Sequence, residues 1–159
     1  MFGGEQIVDR LLASDVQHFK DARQVAVEAF IPKGARAMYG LLGAEFIPLT
    51  GDEIQVIVNT STQPFELWKE ALIPTYLDDV RVGLTPSYAN KVIEGVIMAG
   101  HELHAFPSGK LHFQCAAHGV LSSCEAIFKT LGRIVVRLVT VDRLPSSEDE
   151  ILPFLDFRM

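Results

Sequence analysis

Cys124 and His118 are the two residues of this chain that could form a nucleophile and its base. Ser122-x-x-Glu125 predicts a capping box at a helix start, and the helix dipole favours the thiolate of a cysteine in the first turn. Against this, free cysteine is usually buried, and neither Asp nor Asn lies near His118 in the sequence to orient it as a base. We therefore assign no catalytic residue, retain Cys124 only as a candidate reactive thiol, and rank a Cys–His enzyme below two other functions.

Four histidines and one cysteine lie between residues 101 and 118, and both residue types are common metal ligands. His101-x-x-His104 lacks the three-residue spacing of a helical histidine pair. His112 and His118 would lie about 20 Å apart in an extended strand, at ~3.3 Å per residue. Cys115 would point to the opposite face. We expect neither a metal nor a cofactor.

The composition predicts an ordered domain that carries an acidic surface. The chain has 159 residues, 48% hydrophobic residues and a net charge of −6. That charge is the wrong sign for a broad phosphate-binding surface, so we expect no DNA partner and leave only a local basic site at Lys33 and Arg36. No apolar run reaches the roughly 20 residues of a membrane helix. The sequence begins without signal-peptide features and has two cysteines, so a cytoplasmic location without a membrane partner is expected.

Hydrophobic periodicity divides residues 1–144 into the elements of a single α+β domain. Helical spacing predicts a helix over 4–13, and alternation predicts an antiparallel strand meander over 24–58, interrupted by a glycine-bearing loop at 32–40. The further expected elements are a helical insertion carrying Trp68 (59–84), a helix–strand–helix unit (85–132), an extra strand (133–141), and an acidic linker with an apolar tail (145–159). Within the helix–strand–helix unit, Thr85-Pro86 predicts a helix start, and Gly100 predicts its end.

Three ordered patterns resemble domain IV of bacterial elongation factor G. The first is a hairpin-like segment with a tyrosine-glycine pair, the second a helix, and the third a histidine-containing turn with its following helix. Their members are Arg36-x-x-Tyr39-Gly40, Glu45 and Pro48-Leu49; Pro86, Tyr88, Val92 and Gly95-Val96; and His118-x-Val120-x-Ser122-Ser123, Ala126 and Phe128-Lys129. The resemblance covers about residues 24–131.

The resemblance implies a mostly antiparallel sheet with helices on one face, in the order β-β-β-α-(α)-β-α, with a left-handed β-α-β crossover. In that family the histidine-bearing tip enters the decoding region of the small ribosomal subunit. The resemblance thus implies that Lys33, Arg36, Tyr39 and His118 contact the ribosome or its RNA. Two departures weaken the likeness at the tip: residues 114–117 replace the family's aspartate-glycine-serine-tyrosine, and only Gly34 remains of its glycine-rich loop.

Two functions follow as expectations. The first is a stand-alone, non-enzymatic domain that contacts the small ribosomal subunit or ribosomal RNA; it is no GTPase, because the sequence has no phosphate-binding P-loop. The alternative is a protein-binding or self-associating module, such as a homodimer, with no role on RNA. Its support is apolar surface on the predicted N-terminal helix, around Trp68 and along 151–157, which an isolated domain would need to cover.

Overall fold

The computed structural model describes residues 5–13, 21–61, 65–103, 106–141 and 143–157, and these form an α+β fold. The strands are β1 (Gln6–Leu12), β2 (Arg23–Lys33), β3 (Arg36–Pro48), β4 (Glu53–Asn59), β5 (Val80–Val82) and β6 (Gly109–Gly119). The helices are α1 (Pro86–Leu103), α2 (Glu125–Thr140) and the short α3 (Glu148–Ile151), which runs into a 3₁₀ turn at Leu152–Phe154.

The sheet has the order β1-β4-β6-β3-β2, with β5 paired to the end of β6. Every pairing is antiparallel except that of β4 with β6, which is parallel and connected through α1. The mostly antiparallel α+β architecture is thus confirmed, and α1 makes a β-α-β crossover whose left-handedness stays a prediction. The predicted meander is wrong at its last pair, because β6 lies between β3 and β4. Sequence alternation cannot reveal this, since a strand's pattern is the same whichever neighbour it pairs with.

The first two long strands form a hairpin that is tighter than expected. Pairing continues to Lys33 and Arg36, so the predicted loop at 32–40 is wrong and only two residues form the turn. Gly34 in this turn has φ +61°, a conformation that glycine adopts without steric cost. Pro32 fits within β2 because β2 is an edge strand, where a missing N–H costs no sheet hydrogen bond.

The N-terminal segment is a strand, so the predicted helix over 4–13 is wrong. β1 pairs along its length with β4. Ile7 and Leu11 pack against the core, while Val8 is 47% exposed. A spacing of four residues places two side chains on one face of a helix and also on one face of a strand. Sheet pairing decides between the two.

Helices α1 and α2 cover one face of the sheet and contact each other closely. Two glycines permit this: a Cβ on Gly95 would lie 2.0 Å from the carbonyl oxygen of Lys129, and one on Gly132 would lie 2.6 Å from that of Val92. The fully buried core between the helices and the sheet includes large side chains from every layer, among them Phe46, Phe113, Phe128, Leu111, Leu131 and Ile134.

Residues 133–140 belong to α2 and Val141 is its extended C-cap, so the predicted extra strand at 133–141 is wrong. Its β-branched residues favour a strand by propensity, but the helix places them against α1, the sheet and the C-terminal tail, and most are buried. Tertiary burial therefore overrides local preference. The tail covers this layer with Ile151, Phe154, Leu155 and Phe157, which pack against the same core.

The segment between β4 and α1 contains no helix among its described residues, so the predicted helical insertion at 59–84 is wrong. Its residues Trp68, Ala71 and Ile73 pack on the face of the sheet opposite α1 and α2. Trp68 donates its backbone N–H to Val80, and Trp68 and Ala71 pack on a small cluster built on Tyr39 and Ile73. The side chain of Glu28 accepts from the Tyr39 hydroxyl and from the backbone N–H of Leu72.

We expect Gly95→Ala to lower the free energy of unfolding by about 2–3 kcal/mol, because a methyl group 2.0 Å from the Lys129 carbonyl would force the helices apart. This loss exceeds the gain of about 1 kcal/mol that alanine brings to a helix interior. Urea denaturation followed by the fluorescence of Trp68 measures it. Asn90→Ala, on an exposed position of the same helix, is the matched control and should raise stability by no more than about 0.7 kcal/mol, the helix-propensity gain alone. A glycine variant as stable as the control would contradict the close helix contact.

Candidate functional site

A β-bulge in β6 decides which way its last residues face. The register with β3 shifts between Gly43 and Ala44, which leaves Gln114 as the extra residue. Before the bulge Phe113 faces the core beneath the helices; after it Ala116 does so, and Ala117 faces the opposite side. Side chains alternate along a strand, so the bulge turns His118 toward α1.

His118 is buried at the end of β6 and is held in one tautomer. It is 7% exposed, and its Nδ1 lies 2.7 Å from the carbonyl oxygen of Gly83. A carbonyl only accepts, so Nδ1 carries the proton, and Nε2 of the neutral ring keeps a lone pair. Burial lowers the pKa of His118, which favours this neutral form. Nε2 makes no hydrogen bond to any described residue and is free to accept one.

The ring of His118 lines a surface pocket of about 520 Å³. The rings of Phe65 and Tyr88 stand edge-on to it, with centroids at 4.8 and 5.8 Å. Thr85, Gly119 and Val120 complete the described wall together with Arg81, which is the one charged residue among the described lining residues. The pocket therefore combines two aromatic rings, a cation and a hydrogen-bond acceptor.

Arg81 contributes a guanidinium that is only partly engaged. One of its nitrogens donates to the carbonyl oxygen of Phe65 at 3.3 Å. It forms no salt bridge within the part of the chain that the structure describes. Since a guanidinium has five N–H donors in a planar fork, Arg81 can still bind an anion in the pocket.

The turn after β6 is organised by the carboxylate of Asp78. This side chain is 6% exposed and accepts from the backbone N–H groups of Leu121 and Ser122, at 2.8–3.0 Å, and from the Ser122 hydroxyl at 2.5 Å. Gly119 is needed beside it, because a Cβ there would lie 2.2 Å from the carboxylate. One buried acid thus fixes the turn that follows His118.

Ser122 and Ser123 tie the same turn to the β2–β3 hairpin. The hydroxyl of Ser123 donates to the carbonyl oxygen of Tyr39 at 2.5 Å and accepts from the N–H of Gly119 at 2.9 Å. The carbonyl oxygen of Ser122 accepts from the N–H of Tyr39. Neither serine caps α2, so the predicted capping box is wrong.

Helix α2 begins at Glu125, with Cys124 as an extended N-cap whose thiol makes no capping hydrogen bond. The carboxylate of Glu125 accepts instead from the hydroxyl of Ser87 in α1. Cys124 is partly buried and packs against the core, does not line the pocket, and makes no hydrogen bond to His118.

The expected start of α1 is confirmed, since the Thr85 hydroxyl accepts from the N–H of Tyr88. The helix ends at Leu103, so the predicted end at Gly100 is wrong.

The four residues predicted to contact RNA lie toward one end of the sheet but divide into two pairs. β3 and β6 are antiparallel, with Leu41 opposite Ala117, so the hairpin tip and the turn after β6 share that end. Lys33 and Arg36 are exposed at the tip. Tyr39 is fully buried, and burial together with Glu28 raises the pKa of its hydroxyl. Tyr39 and His118 are therefore interior residues that support this end of the sheet, whereas Lys33 and Arg36 present positive charge at its surface.

Sequence reasoning missed Phe65, Asp78 and Arg81, all of which fall in the segment interpreted as a helical insertion. The spacing of these three residues does not indicate a site, because each of them contributes through a contact with β6 or with the turn after it. Among the described residues, no group of three or more His, Cys, Asp or Glu side chains is placed to hold a metal ion. His112 is paired with Asn59 at 2.8 Å.

Comparisons with known proteins do not assign the chain. No protein-family model matches it, and no curated protein matches it significantly. Within the described ranges, none of the helices has both the length and the apolar character that a membrane span needs.

We expect Asp78→Asn to lower the free energy of unfolding by about 2–4 kcal/mol, because the amide cannot accept from all three donors and turns an NH₂ toward one of them. Urea denaturation at neutral pH is the measurement. Asp79→Asn removes the same charge from the adjacent exposed side chain and should cost less than about 0.5 kcal/mol. Equal losses in the two variants would mean that general charge, and not the Asp78 contacts, stabilises the turn.

Proposed function

We propose that the protein is a non-enzymatic domain that contacts the small ribosomal subunit or its RNA through the end of the sheet that carries the β2–β3 hairpin tip. The observation that carries this proposal is the projection of the tip. Arg36 lies five residues beyond Leu41 along β3, whereas β6 ends two residues beyond the partner of Leu41. At ~3.3 Å per residue, the tip extends about 10 Å past the end of β6.

The composition of the tip supports a phosphate contact. Lys33 and Arg36 face each other across the two-residue turn and are exposed, and neither forms a salt bridge in the described part of the chain. Two cations on a narrow hairpin can enter a groove or contact a loop of folded RNA. The resemblance to domain IV of elongation factor G supplies the ribosome as the partner, and the burial of His118 and Tyr39 restricts the proposed direct contact to the tip and the adjoining turn.

Co-sedimentation with isolated small ribosomal subunits tests this proposal. We expect binding at about 50 mM salt that weakens strongly by about 200 mM, since counterion release drives phosphate contacts. Lys33→Ala with Arg36→Ala should reduce the slope of log affinity against log salt by about 1–2.

The matched control removes the same charge elsewhere. Arg10 is on β1 at the other edge of the sheet and Arg143 is in the C-terminal segment, and both are exposed. Arg10→Ala with Arg143→Ala should leave binding unchanged. Absence of binding by the intact protein at low salt would overturn the proposal, and equal loss in both double variants would reduce it to a nonspecific charge effect.

A second candidate function, self-association or binding of another protein, is favoured by one observation. An exposed apolar patch of Tyr76, Leu77, Val120 and Leu121 lies beside the Asp78 contacts, and Tyr76 and Leu121 are 85% and 81% exposed. Apolar side chains grouped this way often mark protein interfaces.

If the patch joins two copies of the chain, Leu121→Ser should weaken the dimer about tenfold or more, because burying a leucine side chain stabilises an interface by about 1.5–3 kcal/mol. Sedimentation velocity over a micromolar concentration range measures the equilibrium. Leu152→Ser, at a position 54% exposed in the C-terminal turn, is the control and should have no effect. A monomer at every concentration would exclude self-association through this patch.

A further inference from the structure

The pocket beside His118 holds chemical groups that the fold leaves available. The lone pair of Nε2 on the nine-tenths buried His118 lacks a described partner, and its tautomer is set by the Gly83 carbonyl. Such an acceptor, at the pocket wall and edge-on to two aromatic rings, is suited to a ligand that offers an N–H. A water molecule would also satisfy the Nε2 acceptor, but the other lining groups restrict the class of ligand further.

Arg81 favours the binding of an anion in the pocket. It is the charged residue among the described lining residues, and the carboxylate of Asp78 already accepts from three donors in the turn. The free N–H groups of a guanidinium match the geometry of phosphate oxygens. An anionic group bound there would lie close to the aromatic wall.

Phe65 and Tyr88 supply that wall, and aromatic side chains are the usual platforms for bases of unpaired nucleotides. A pocket of about 520 Å³ lies within the usual range of small-molecule sites. A planar ring that carries an N–H, linked to a phosphate, uses each of these groups at once.

We propose that this pocket binds a nucleotide unit, with the phosphate on Arg81 and the base between Phe65, Tyr88 and the Nε2 atom of His118. The unit is either a free mononucleotide or one unpaired nucleotide of an RNA strand. The pocket's own geometry supports this inference whether or not the hairpin tip contacts the ribosome, so it extends beyond the proposed function.

Titration of the intact, ¹⁵N-labelled protein with AMP, adenosine, inorganic phosphate and hexaadenylate tests the proposal. AMP should shift the backbone resonances of Phe65, Gly119 and Val120 saturably, with Kd on the order of 0.1–1 mM. Adenosine and phosphate, which each lack one half of the unit, should bind about tenfold more weakly. Saturation by hexaadenylate at lower concentration than by AMP would identify an RNA strand as the source, and saturation by AMP alone a free nucleotide.

Substitutions at Arg81 separate pocket binding from general charge. Arg81→Gln should weaken AMP binding about tenfold or more and leave adenosine binding nearly unchanged, since it removes a charge-assisted hydrogen bond. Arg81→Lys, which keeps the charge, should restore part of the affinity. Arg36→Gln makes the same charge change at the hairpin tip and should have no effect. The dispersion of each spectrum verifies that the variant is folded.

Absence of saturable shifts at the pocket with AMP and with hexaadenylate up to about 10 mM would overturn the proposal. Equal weakening by Arg36→Gln and Arg81→Gln would overturn it as well, because binding would then follow net charge. Ribosome co-sedimentation is scored separately with the Lys33 and Arg36 variants. Loss of one activity with retention of the other therefore shows which of the two proposals has failed.

Discussion

The insertion of β6 between β3 and β4 is the constraint on which the rest of the structure depends. β6 pairs with three strands, in parallel with β4 and antiparallel with β3 and β5. The parallel pairing requires the chain to cross the sheet, and α1 makes that crossing. α2 then leaves the end of β6 and returns beside α1, so the two helices must share one face. Their close contact at Gly95 and Gly132 follows from this shared space.

The end of β6 is also where the three parts of the candidate site meet. The bulge at Gln114 turns His118 toward α1, the carboxylate of Asp78 holds the following turn, and Ser123 attaches that turn to the hairpin at Tyr39. Each of these contacts joins residues distant in sequence. A buried acid that accepts from two backbone N–H groups and a hydroxyl is a costly group to leave unpaired, so the turn has few alternative conformations. The pocket wall formed by Gly119 and Val120 is therefore held by the Asp78 contacts.

Sequence reasoning predicted the elements whose signals are local and failed where pairing decides. Thr85-Pro86 marks the start of α1 by a cap that is complete within four residues, and it was correctly predicted. The run at 134–141 was misassigned because β-branched side chains favour a strand until three surrounding layers bury them as a helix. The Ser122 and Glu125 pattern fits a capping box, but Asp78, from a distant segment, binds the serine. His118 and Tyr39 were found as residues of interest by resemblance, whereas their burial depends on Phe65 and Glu28, which no local pattern connects to them.

The acidic net charge and the basic hairpin tip are compatible because of the distance between them. A charge of −6 on the whole chain opposes binding of RNA to the body of the domain. The tip extends about 10 Å beyond β6, and the Debye length at physiological salt is about 8 Å. Acidic side chains that lie more than a Debye length away are largely screened at Lys33 and Arg36, while a phosphate in direct contact with them is not. The same geometry limits the surface that RNA can approach, because a duplex placed closer to the sheet would meet the acidic body. The two proposals therefore place RNA contacts at the tip and in the pocket around Arg81, and not on the body of the sheet.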